Sequence, residues 1–120
     1  MAVRAVRGAT QVADNTREAI LAGTSELIVE VLARNSLTAE SLISVIFTAT
    51  PDLTADFPAY AARQLGFTDV PLLCAVEIDV PGALPRILRL MAQVETDLGR
   101  GDVHHVYLHG AAQLRRDLPS

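Results

Sequence analysis

Apolar and polar positions alternate from the start of the chain. Val3 and Ala5 fall on one side of an extended segment and Arg4 and Val6 on the other, which predicts a first strand over Ala2 to Ala9, ending near Gly8. The period then lengthens. Ile20, Leu27, Ile28, Val31 and Leu32 recur with helical spacing as far as Asn35, and Asn15 with Glu18 three positions later has the form of a capping box, so a long helix is predicted. Thr38 to Ser41 reads as a short turn into Leu42 to Thr50, where Ile43, Val45, Phe47 and Ala49 alternate with Ser44, Ile46, Thr48 and Thr50. That predicts a second strand, stopped by Pro51. Pro58 suits a first helical turn and Gly66 the position just past the end, so a short helix is predicted over Pro58 to Leu65. Pro71 to Ile78 follows as a third strand.

Pro85 to Glu95 supports two readings. Leu84, Ile87, Leu88 and Met91 fit a helix, whereas Leu88, Leu90, Ala92 and Val94 alternate as a strand. Val80-Pro81-Gly82 ahead of it is tight-turn chemistry and favours a strand hairpinned to the third strand. Gly99-Arg100-Gly101-Asp102 forms a further turn into a last strand, Val103 to Leu108, and a tail expected to be mobile runs from about Ala111 through Arg115 and Arg116. This order describes an α+β fold in a single domain, 1–120: a mixed β-sheet with the long helix packed on one face. Ile87, Met91 and other apolar groups would line the opposite face, and self-association is the natural way to bury it.

Composition narrows the function. The 120 residues amount to one domain, and although 50% of them are apolar, no run approaches the roughly 20 apolar residues that span a bilayer. A soluble, cytoplasmic protein is expected. The formal charge of −4 disfavours nucleic acid or an anionic membrane as partner. Cys74 is the only cysteine, so no intrachain disulfide can form. His104, His105 and His109 do not make a metal site, because adjacent strand residues point to opposite faces and no second ligand cluster accompanies them.

Particular residues carry the chemistry. Arg7 at a strand end offers the bidentate fork that a carboxylate fits. Glu77 ends an apolar run and needs a cationic or hydrogen-bonding partner. Cys74, read alone, is a small buried hydrophobe; its odd separation from Glu77 puts the two on opposite faces of a regular strand, so a bulge or bend would be required for both to line one cavity. Arg89 faces solvent if its segment is a helix, but as part of a strand it shares a side with Ile87 and Met91, away from the long helix.

Arg7-Gly8-Ala9-Thr10, Ala49-Thr50-Pro51-Asp52-Leu53, Phe57-Pro58-Ala59 with Arg63, Cys74 with Glu77, and His105-Val106-Tyr107-Leu108 occur in an order and spacing that resemble the small chorismate mutase family of the Bacillus type, from Val3 to about Leu118. The resemblance implies a homotrimer with its sites at the subunit interfaces, no cofactor, and isomerisation of chorismate to prephenate. It implies that Arg7 binds a substrate carboxylate, with the Tyr107 hydroxyl near a carboxylate. Glu77 would accept a hydrogen bond from the ring hydroxyl, and Cys74 would line the pocket beside that hydroxyl. Phe57 and Arg63 would come from an adjacent subunit, the first walling the ring and the second near the mouth. Leu114 and Arg115 would belong to a tail folding over the entrance. The sequence departs from the family pattern at Tyr60, where a lysine is usual, and is one residue shorter between Leu65 and Pro71.

The implied reaction is a one-substrate pericyclic rearrangement, which fits a chain without a catalytic triad, phosphate loop or metal motif. Arg89 would face the ether oxygen as negative charge accumulates there. Two other readings stay open: an enamine or imine deaminase of similar trimeric architecture, and a non-catalytic trimer that binds an aromatic-pathway metabolite.

Overall fold

The segment with two readings is a strand, and it organises the molecule. The computed structural model describes residues 1–115, the last of these by its backbone alone. In chain order the elements are β1 (Ala2–Gln11), α1 (Arg17–Arg34), a single 3-10 turn (Ala39–Ser41), β2 (Leu42–Ala49), α2 (Ala59–Gln64), β3 (Leu72–Val76), β4 (Ile87–Thr96), a second 3-10 turn (Arg100–Asp102), β5 (Val106–Leu108) and a 3-10 segment (His109–Arg115). The strands form one mixed sheet of order β3-β2-β4-β1-β5. β4 at its centre runs antiparallel to both neighbours, while each edge strand lies parallel to the strand beside it.

Burial along β4 shows why the alternating pattern won. Leu88, Leu90, Ala92 and Val94 are buried, while Arg89, Met91, Gln93 and Glu95 between them are exposed. Leu90, Ala92 and Val94 join Val6, Val45, Phe47 and Val106 from the other strands against Leu27, Ile28 and Val31 of α1. This layer is the main core. The helix comes close over β1 because Gly8 has no side chain: a Cβ there would stand 3.1 Å from Leu27 Cδ1 and Val31 Cγ2. The start of β4 is held by the Thr50-Pro51-Asp52 corner. The Thr50 hydroxyl accepts from Ile87 N at 3.0 Å, and the Asp52 carboxylate accepts from the backbone N of Arg86 at 2.9 Å, with Arg86 in the left-handed region at φ 55°.

Several boundaries differ from the sequence reading. The N-cap of α1 is Thr16, whose hydroxyl accepts from Ala19 N at 3.1 Å. Asn15 instead pins the loop before α2, its Oδ1 accepting from Thr54 N and Ala55 N at 2.9 and 3.0 Å. β3 is shorter than expected, and it is not hairpinned to β4. The Val80-Pro81-Gly82 turn does form, with Gly82 at φ 85° and Ala83 N donating to Val80 O, but residues 77–86 round the C-terminal end of β2 so that β4 pairs with β2 and β1. Ile87 is not part of an uncovered face, being only 1% exposed beneath Leu84, Tyr107, Ala111 and Leu114, whereas Met91 does remain open at 44%. The last strand is confined to Val106–Leu108. No helix among the described residues is long and apolar enough to cross a membrane.

Thr10 is fully buried, and among the described residues its hydroxyl has no hydrogen-bond partner. An unsatisfied buried hydroxyl costs about 1–3 kcal/mol, and valine has the same shape without that group. Thr10→Val is expected to stabilise the protein by about 1 kcal/mol, read as a higher urea midpoint at unchanged slope.

Candidate active site

The strand register builds the site directly. Thr48 pairs with Arg89, Arg89 with Ala9, and Ala9 with Tyr107, so these four residues form one row across β2, β4, β1 and β5. Ile46, Met91 and Arg7 form the neighbouring row by the same pairing. Because side chains alternate with a period of two, both rows stand on the face opposite α1. They floor a cavity of about 440 Å³ that Glu77 and Leu114 also line. Ala9, the small member of its row, is buried with Ile87 and Ala111.

Glu77 reaches the cavity from just beyond β3, its backbone N donating to Ala49 O at 2.9 Å. The Thr48 hydroxyl donates to Glu77 Oε2, while Arg89 Nε lies 3.6 Å from Glu77 Oε1. The carboxylate thus has the hydrogen-bonding and cationic company that its apolar run demanded. Neither charge is deeply buried: the Arg89 side chain is 44% exposed and that of Glu77 23%. Their mutual attraction is therefore a weak contribution to stability and chiefly sets the geometry of the cavity.

Phe57, Arg63 and Cys74 lie elsewhere in the same chain. They line a second cleft, of about 390 Å³, with Ala59, Tyr60, Leu72 and Leu73 at the β3 edge of the sheet. Cys74 pairs in register with Phe47, a core residue on the α1 side, so β3 runs without the bulge that would have turned Cys74 towards Glu77. Within this cleft the Phe57 and Tyr60 rings meet edge-on, their centroids 6.1 Å apart at 66°. The Arg63 guanidinium carbon sits 5.7 Å from the Tyr60 ring centroid, a cation–π distance. Phe57 is 64% exposed and Leu73 55%. The Arg115 side chain lies outside the described residues.

Sequence reasoning therefore picked out Arg7, Glu77, Arg89, Tyr107 and Leu114, which the fold gathers in one cavity, and Phe57, Arg63 and Cys74, which it gathers in another. It overlooked Thr48 and Ala9. Thr48 carried a usable signal, being a polar residue on the face of β2 opposite Phe47. Among the described residues no three His, Cys, Asp or Glu side chains converge as metal ligands would.

Comparison with known proteins identifies the family. The family model for chorismate mutase type I matches residues 3–118. The chorismate mutase AroH of Thermus thermophilus is 50% identical over 119 residues, 98% of each chain. That of Bacillus subtilis is 41% identical over 119 residues, 98% of this chain and 94% of the relative. A solved chorismate mutase from Clostridium thermocellum superposes with a TM-score of 0.90 at 50% identity, covering 91% of this chain and 97% of the other. With the match running along nearly the whole chain in sequence and in fold, this protein belongs to the type I chorismate mutase family.

Proposed function

We propose that the protein isomerises chorismate to prephenate in the cytoplasm, and that Arg89 supplies the electrostatic part of the rate enhancement. The observation carrying this is a guanidinium on the central strand, facing a cavity that also holds Arg7, Glu77 and Tyr107. Chorismate has two carboxylates, a ring hydroxyl and an enolpyruvyl ether. Arg7 and Tyr107 hold a carboxylate, and Glu77, steadied through its other oxygen by Thr48, accepts from the ring hydroxyl. These contacts keep the two ends of the allyl vinyl ether close together, which is an orientation effect. As the C–O bond stretches ahead of C–C formation, the ether oxygen gains negative charge, and Arg89 stabilises that state more than the ground state. Every bond change is internal to the substrate, so the mechanism uses no nucleophile, base or cofactor.

The assembly is a homotrimer in this reading. A neighbouring copy brings its β3-edge cleft, with Phe57, Arg63 and Cys74, against the cavity of Arg7, Glu77, Arg89 and Tyr107. Two features support it: Phe57 and Leu73 are large apolar groups left exposed in one chain, and the residues expected at one site line two clefts. Cys74 and Glu77 can then share a pocket without any bulge, since they come from different chains. Leu114 closes the cavity at the β5 end. Arg115, the last residue of the 3-10 segment, acts at the entrance in this reading, and the tail expected from about residue 111 is packed at Ala111 instead.

Incubating the purified protein with chorismate and identifying the product tests the activity, with prephenate expected. Recovery of unchanged chorismate would overturn the proposal. The shared site has its own test, in which Arg89→Ala and Arg63→Glu chains are unfolded together and co-assembled. Random pairing leaves about a quarter of the interfaces with both halves intact, so the mixture is expected to recover about a quarter of wild-type turnover. Activity no higher than the average of the two parents would place both halves in one chain.

A further inference from the structure

The Arg7 backbone N–H donates to His105 Nδ1 at 3.0 Å, across 98 positions of sequence. β5 begins one residue later, at Val106, which pairs with Gly8 of β1. The imidazole therefore stands where the next carbonyl of the strand ladder would be. The bond also fixes the chemistry of the ring: an N–H donor needs a lone pair, so Nδ1 is the nitrogen without a proton.

His105 is itself held from below. The neighbouring residue, His104, is clamped through its backbone by the Asn35 side chain, with His104 N donating to Oδ1 at 2.7 Å and Nδ2 donating to His104 O at 2.9 Å. The same Nδ2 donates to Val31 O at 2.8 Å, and Asn35 is only 3% exposed. A hydrogen-bonded path thus runs from the last turn of α1 through Asn35 and His104 to the residue that caps Arg7.

We propose that His105 is a positioning residue, which fixes the β1 backbone at Arg7 and so aims its guanidinium across the cavity. The inference rests on the chorismate mutase reading and extends it to a residue that does not line the pocket. It predicts that Arg7 depends on an acceptor at the position of Nδ1. Asparagine places its Oδ1 as many bonds from the backbone as Nδ1, whereas the glutamine oxygen lies one bond further out and leucine has no acceptor.

The test compares kcat and KM for chorismate in the assembled wild type and in His105→Asn, His105→Gln and His105→Leu. The Gln and Leu variants are expected to raise KM roughly 5- to 10-fold with kcat within about twofold, and Asn to stay within about twofold of wild type in both. Should the Leu variant fail to fold, Asn against Gln still decides. Equal KM values for Asn and Gln, or losses confined to kcat, would overturn the proposal. A wild type that yields no prephenate overturns the function first and this inference with it, whereas an active wild type matched by all three variants overturns this inference alone.

Discussion

Replacing Arg89 by alanine is expected to lower kcat for prephenate formation at least about 100-fold, or about 3 kcal/mol of transition-state stabilisation, with a much smaller change in KM. The asymmetry follows from when the charge appears. The ether oxygen of bound chorismate is nearly neutral, so the guanidinium gains little in the ground state and most as the C–O bond opens. The substitution is clean in structural terms. Arg89 is exposed on the open face of β4, and its ion pair with Glu77, at 3.6 Å, is too exposed to add much stability. Circular dichroism and melting of the variant should therefore match wild type while the rate of chorismate loss falls. Arg89→Lys is expected to recover part of the rate, since a point charge replaces a fork. Equal turnover by Arg89→Ala and wild type would sink the electrostatic mechanism.

Arg7→Ala should lose a similar amount by another route. Truncating one partner of a hydrogen-bonded charge pair costs about 2–5 kcal/mol, so kcat/KM is expected to fall roughly 100-fold, mostly through KM. The carboxylate proposed to sit on Arg7 is charged before, during and after the rearrangement, so its binding is expected to be largely uniform along the reaction. Steady-state kinetics with substrate extended well above the wild-type KM separates the two variants. If Arg7→Ala affected kcat alone, with KM unchanged, Arg7 would be acting on the reacting bonds and the roles assigned to the two arginines would have to be exchanged.

The parts of the fold legible in the sequence were those that a local pattern dictates. The alternation of Leu88, Leu90, Ala92 and Val94 reports a half-buried strand and so places Arg89 on its open side. What was not legible depends on distant partners. Asn15 and Thr16 are both good caps, and Asn15 serves the loop at Thr54 and Ala55 because its amide can bond there, leaving the cap to Thr16. Val80-Pro81-Gly82 makes its turn, but turn chemistry does not say which strand the chain will pair with next. Ile87 has the parity of an open-face residue and is buried by Ala111 and Leu114, more than twenty positions away. The site divides in the same way. Arg7, Arg89 and Tyr107 come together by strand parity and register, whereas Glu77 and Thr48 meet only because β3 ends where it does.

β4 is flanked on both sides, while β3 and the loop carrying Phe57 occupy the rim. The cation proposed to drive the reaction is thus mounted on the plank braced from both sides, and the walls proposed to greet an incoming guest are built from the margins. On that reading a side chain at the margin, such as Tyr60, can be exchanged without loosening the strand that holds Arg89.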